Sequence, residues 1–168
     1  MQPIPEISPQ DPSLQDSAED TRAVLAESAQ QIRRARRNLA AARSKLLGRV
    51  LVVDDSELFR STAVSVVAAA SKLRLVGQAA SGEEALELLT DVKPDLVLLD
   101  IHMPGLNGVE TARIIREQRP ETVVALISAE PAGFEAAARS AGVAALLNKA
   151  DLFPGTLDEL WLKHRSRD

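Results

Sequence analysis

The rhythm of apolar positions divides the chain into three stretches. Residues 1–16 have no apolar periodicity, and Pro3, Pro5, Pro9 and Pro12 stand there among Gln, Ser and Asp. Such a segment buries too little surface to offset its ordering entropy, which predicts a disordered tail. From about Ser17 to Leu47 there is neither Gly nor Pro, and Ala, Arg, Gln and Leu dominate. That composition predicts one long helix in an N-terminal segment spanning 17–48. Ser17 is placed to cap it, Glu19 and Asp20 suit its positive end, Arg43 and Lys45 suit its negative end, and Gly48 reads as the stop. Leu25, Ile32, Leu39 and Leu46 recur every seven residues, and the small Ser28, Ala35 and Ala42 follow the first three of them by three positions. A stripe of this period packs against another helix. It is compatible with folding back on the same domain and with self-association or a partner helix.

From Arg49 onward short apolar runs alternate with helical spacing. Val50–Val53 predicts a buried strand ending in Asp54 and Asp55. Ser56 then caps a helix over about Glu57–Ala70, followed by a more exposed strand, Leu73–Ala79. Ser81 with Glu84 is a capping box for a helix over Gly82–Asp91. A strand over Asp95–Leu99 leads into Asp100, and a helix over Gly108–Gln118 follows. The remainder predicts a strand at Thr122–Ile127, a helix at Pro131–Ser140, a strand at Val143–Leu147 and a helix at Thr156–His164. Five strands alternating with five helices over residues 49–168 imply right-handed βαβ units. The fold class is therefore α/β, a doubly wound five-stranded parallel sheet with an N-terminal helical extension and a ligand crevice at the carboxyl ends of the strands.

The bulk numbers support this layout and narrow the function. The chain is 45% hydrophobic and 26% charged, enough for a packed core, and contains no cysteine, so disulfides and thiolate metal sites are excluded. No secretory signal and no apolar run of membrane-spanning length is visible, so a soluble cytoplasmic protein without membrane association is expected. Residues 1–48 hold six acids and seven bases, whereas 49–168 hold eighteen acids and thirteen bases. The acidic C-terminal part argues against direct nucleic-acid binding. The Arg33, Arg34, Arg36 and Arg37 cluster reads as a solvated helix face, because no aromatics or further basic elements accompany it.

Candidate chemistry lies at the strand ends. In a parallel sheet Asp54 and Asp55, Asp100, Ser128 and Lys149 share one edge. Three carboxylates repel one another unless a cation sits among them. A hard, oxygen-liking divalent ion such as Mg²⁺ fits, and it keeps waters that a phosphate can displace. A hydroxyl and an ammonium opposite suit phosphoryl oxygens. Each residue alone has a mundane reading as a helix cap or surface lysine; together, at the ends of four strands, they indicate a site.

Here the sequence resembles the receiver domain of two-component response regulators, a flavodoxin-like fold. The resemblance rests on Val50-Leu51-Val52-Val53-Asp54-Asp55, on Leu96 through Gly108 with Asp100-Ile101-His102-Met103-Pro104-Gly105 at its centre, on Ile127-Ser128-Ala129 and on Leu147-Asn148-Lys149. It implies that Asp100 accepts a phosphoryl group from a histidine kinase, a phosphotransfer protein or a small phosphodonor. It further implies that Asp55, Asp100 and the backbone carbonyl of His102 ligate Mg²⁺, with Asp54 acting mainly through water. Lys149 would pair with Asp100 and then with the phosphoryl group, and Ser128 would bond a phosphoryl oxygen. The His102 side chain itself is disfavoured as a ligand, since Mg²⁺ prefers oxygen to imidazole. His102 and Glu130 occupy positions where the family tunes phosphoryl lifetime.

Two departures concern the switch. The family commonly carries Tyr or Phe three residues before the lysine, where this chain has Leu146. It often has Pro after the lysine, where this chain has Ala150, so a trans bond and a rearranged loop are expected. Because the chain ends soon after its last helix, output through protein–protein contact is expected, with a possible homodimer through the N-terminal helix. Two other readings stay open: an adaptor whose N-terminal helix carries the function, and the receiver part of a truncated transcriptional regulator. A phosphatase acting on external substrates would need a second acid two residues after Asp100, where His102 stands, so a turnover enzyme is not expected.

Overall fold

The computed structural model describes the backbone of residues 12–165 and the side chains of residues 21–39, 42 and 46–165. It comprises two units, residues 1–45 and 46–168. Among the described residues the first consists of one helix, α1 (Pro12–Leu46), which runs one residue into the second. It starts five residues before the Ser17 start read from the sequence, so Pro12–Asp16 are helical rather than part of a tail. Pro12 suits a first helical position, where its missing N–H would be unpaired in any case. The rest of the expected tail, residues 1–11, and the Ser17 cap lie outside the described backbone and side chains respectively.

The second unit alternates β1 (Gly48–Val53), α2 (Glu57–Ala69), β2 (Leu73–Ala79), α3 (Gly82–Val92), β3 (Leu96–Asp100), α4 (Gly108–Gln118), β4 (Val123–Ser128), α5 (Glu135–Ser140), β5 (Ala145–Asn148) and α6 (Pro154–His164). All pairs are parallel, in the order β2-β1-β3-β4-β5. The chain adds β2 outside β1 and then crosses to the other side for β3. This reversal opens a crevice at the carboxyl ends of β1 and β3. At the opposite edge Arg49 ties these strands together, its guanidinium donating to both oxygens of Asp95 at 3.0 Å.

Alternation along the strands sorts the core into two layers. Val50, Val52, Leu96, Leu98, Ala125 and Ile127 face Ala63 and Val67 of α2 and Leu157 and Leu160 of α6. Leu51, Val53, Val97, Leu99, Val124 and Leu126 face Ala85 and Leu89 of α3, Ala112 and Ile115 of α4 and Ala138 of α5. Every residue of β3 is buried, which is why its sequence is apolar without alternation up to Asp100.

Two local expectations are corrected. Gly48 does not cap α1; it is the first residue of β1, paired with Leu73, and the Trp161 indole sits 2.7 Å from where a Cβ would be. A close approach of backbone to a ring, and not a turn, is what requires glycine there. The helix predicted over Pro131–Ser140 shortens to Glu135–Ser140, because Gly133 adopts φ +90° and breaks the helical path before it.

Candidate functional site

β1 delivers Asp54 to the switch point and β3 delivers Asp100 beside it. Both are buried, Asp54 completely. Asp54 is held on three sides. Its N–H donates to Ala79 at the end of β2, its Oδ1 accepts from the Ser56 N–H at 2.9 Å, and Lys149 Nζ lies 2.6 Å from its Oδ2. That last contact is a short ion pair to an oxygen buried inside the protein. Lys149, in a 3-10 turn (Lys149–Asp151) just after β5, also reaches Asp100 Oδ1 at 3.2 Å. Its ammonium rests 4.4 Å from the centroid of the Phe59 ring, a cation–π contact that fixes its position from below.

Asp55 is exposed, and one oxygen from each of Asp54, Asp55 and Asp100 fits within a 4.8 Å cluster. Three carboxylates against one ammonium leave the group net negative. Burial pushes the Asp100 carboxyl up from its ordinary value and the Asp54 charge adds to this; Lys149 and the His102 N–H pull the other way without cancelling it. The donor set is all hard oxygen, half-open to water through Asp55, and deficient in positive charge. It suits a hydrated divalent cation of the Mg²⁺ kind.

Ser128 ends β4 and is fully buried. Its hydroxyl accepts from the Glu130 N–H at 3.1 Å and lies 3.5 Å from His102 Nδ1. The exposed His102 ring meets Phe134 edge to face, with centroids 5.1 Å apart. Thus Ser128, His102 and Phe134 form a contact series from the strand edge to the start of α5. Leu146, three residues before Lys149, is half-buried on β5 and packs against the α3–α5 core layer. All peptide bonds of the described residues are trans, the Lys149–Ala150 bond included.

The loop after Asp100 is shaped by Gly108 and Glu83, and the turn after β1 by Arg60. Gly108 opens α4 so close to β3 that an added Cβ would collide with the Asp100 carbonyl and come within 2.8 Å of Ile101 Cα. Its N–H donates to the Ile101 carbonyl at 3.0 Å. Glu83, from α3, accepts the Leu106 N–H at 2.9 Å, and its carboxyl is held below the usual range chiefly by its own N–H and by that of Leu106. Arg60 donates to the carbonyls of Asp54 and Asp55 at 2.7 and 3.2 Å, locking the turn that carries both acids. Asn107, three residues before Glu110, marks the cap of α4 in the sequence; Arg60 and Glu83 carry no comparable local signal.

Comparison with known proteins agrees with this geometry. Residues 50–152 match the response regulator receiver domain family. Response regulator GacA of Pseudomonas viridiflava is 41% identical over 102 residues, 60% of this chain and 48% of that protein. The chain spans about half the length of the GacA proteins it matches. Among solved structures, the signal receiver domain of the putative response regulator NarL from Mycobacterium tuberculosis superposes with a TM-score of 0.64 at 34% identity, covering 72% of this chain and 98% of that one. The response regulator domain of Thermotoga maritima CheB gives 0.64 at 28% identity, covering 73% and 98%.

Proposed function

The chain belongs to the response regulator receiver domain family, and from that premise we propose that Asp100 accepts a phosphoryl group from the phospho-imidazole of a histidine kinase or phosphotransfer protein, or from a small acyl phosphate. The reading is carried by one observation: Lys149 bridges Asp54 and Asp100 at 2.6 and 3.2 Å, with Asp55 close enough to share a cation with both. In the transfer, an Asp100 oxygen forms the new P–O bond as the P–N bond breaks. The bond pair returns to the imidazole nitrogen, which takes a proton from solvent. No protein base is required, only positioning and charge neutralisation. Lys149 is poised to move from Asp100 toward the phosphoryl oxygens, and Ser128 to give up Glu130 for one of them.

Asp54, Asp55 and Asp100, with the His102 carbonyl, would hold Mg²⁺, and three clustered carboxylates opposed by one ammonium favour a cation there. When bound, the ion supplies positive charge against the carboxylates and the incoming phosphoryl group. Output through protein contacts is the reading that follows. The series Ser128–His102–Phe134 offers a route from the site to α5 that bypasses Leu146. The N-terminal helix is the surface for self-association, as a unit distinct from the receiver. The test is labelling by acetyl phosphate with Mg²⁺ present. The wild-type chain takes up one phosphoryl group, and neither Asp100→Asn nor the wild-type chain in excess EDTA does. Undiminished labelling of Asp100→Asn contradicts the assignment.

A further inference from the structure

The stripe on α1 is exposed throughout. Leu25, Ile32, Leu39 and Leu46 are 55–76% accessible, and Val24 beside them is 62% accessible. Charge along the same helix is divided by sequence position. Its first part, residues 12–31, carries Asp16, Glu19, Asp20 and Glu27 against Arg22 alone. Its second part, residues 32–46, carries Arg33, Arg34, Arg36, Arg37, Arg43 and Lys45 and no acid. The six bases extend over about four turns, far more than the last turn where a helix dipole favours cations.

Building on self-association through this helix, we propose that its partner is a second copy of the chain lying antiparallel. Charge complementarity selects that direction. Side by side in the same direction, the two basic parts would place twelve cations together with no counter-charge. Reversed, the acidic part of each helix lies along the basic part of the other, and the two helix dipoles oppose each other favourably as well. The apolar stripe agrees. In a parallel pair the heptad layers would match large with large (Leu25, Ile32, Leu39, Leu46) and small with small (Ser28, Ala35, Ala42), leaving the small layers underfilled. Reversing one helix exchanges the two lines, so each Leu or Ile meets a Ser or Ala of the partner and the layers fill evenly. Covalent continuity then attaches the two receivers at opposite ends of the helix pair.

The chain has no cysteine, so single cysteines introduced by Ala23→Cys and Ser44→Cys, both opposite the stripe by heptad position, carry spin labels without background. Light scattering on the full chain establishes mass, and electron–electron distances establish direction. A dimer with Ser44→Cys labels on the order of 40 Å apart, and with shorter distances in a mixed Ala23→Cys/Ser44→Cys dimer, is expected from a rise of about 1.5 Å per residue. A dimer whose Ser44→Cys labels are about 20 Å apart, with the mixed pair farther, overturns the antiparallel orientation and leaves self-association standing. A monomer at all concentrations overturns both.

Discussion

Replacing Lys149 by Met removes the ammonium that lies between two buried carboxylates. At an effective dielectric near 20, contacts of 2.6 and 3.2 Å are each worth roughly 5–6 kcal/mol before desolvation is subtracted. Removing one partner of a buried pair costs about 3–5 kcal/mol net. Lys149 keeps 18% of its side chain exposed, which places the loss near the lower end, about 3 kcal/mol. For a domain of this size that lowers the melting temperature by about 10 °C. The sign with pH follows from Asp100. Its carboxyl is raised above the ordinary 3.8 by burial first and by Asp54 second, with Lys149 opposing, so losing Lys149 raises it further. A raised acid destabilises the fold above its unfolded pKa, and that cost disappears as pH falls to the unfolded value. The deficit of Lys149→Met should therefore be largest at neutral pH without divalent ions, shrink toward pH 4, and shrink when Mg²⁺ is added. Thermal unfolding by circular dichroism across pH, with and without Mg²⁺, measures it. Equal melting temperatures at neutral pH in EDTA, or a deficit that pH and Mg²⁺ leave unchanged, would refute the electrostatic account.

Asp100→Asn relieves the same crowding. Without Mg²⁺ at neutral pH it should melt a few °C above the parent, the advantage vanishing as pH drops through the raised carboxyl value toward 3.8; a melting temperature below the parent's at neutral pH would argue against it. Gly108→Ala drives a Cβ into the Asp100 carbonyl; overpacking of this kind costs about 1–3 kcal/mol, and labelling should fall with stability, an outcome that normal labelling at full stability would exclude. Asp158 of α6 accepts from the Ser71 N–H and hydroxyl and from the Lys72 N–H at 2.8–2.9 Å. Burial alone would raise its carboxyl, but these bonds outweigh burial and hold it low. Its contribution is thus present above the unfolded value and lost as pH falls through the lower folded one, so Asp158→Ala should lose about 1–3 kcal/mol at neutral pH and converge with the parent in acid by chemical denaturation.

The sheet was legible because burial on both faces writes itself directly into strands such as Leu96–Leu99. The acids were legible as a set: each alone passes for a helix cap, but three of them share one sheet edge with Ser128 and Lys149. Helix caps at Ser56 and Ser81 were equally local, and both hydroxyls accept as read, from the N–H groups of Phe59 and Glu84; the Glu84 carboxylate of the capping box reaches one residue further back, accepting from the Ala80 N–H. What escaped was set by distant neighbours. Gly48 serves Trp161, 113 positions away in the chain, and Gly108 is demanded by the closeness of α4 to β3. Phe59 beneath Lys149 and Arg60 on the Asp54 carbonyl depend on how α2 lies over the strand ends, which no local pattern encodes. The short α5 follows from one positive φ at Gly133, a backbone choice its composition does not advertise.

The central claim is that one particular carboxylate, Asp100, takes the phosphoryl group. The chain is treated with acetyl phosphate and Mg²⁺, reduced with borohydride, which converts an aspartyl phosphate to homoserine, and mapped by peptide mass spectrometry. Homoserine at position 100, with Asp54 and Asp55 unmodified, is the predicted result. Homoserine at 54 or 55, or an unmodified Asp100 in protein that has taken up phosphate, would contradict it.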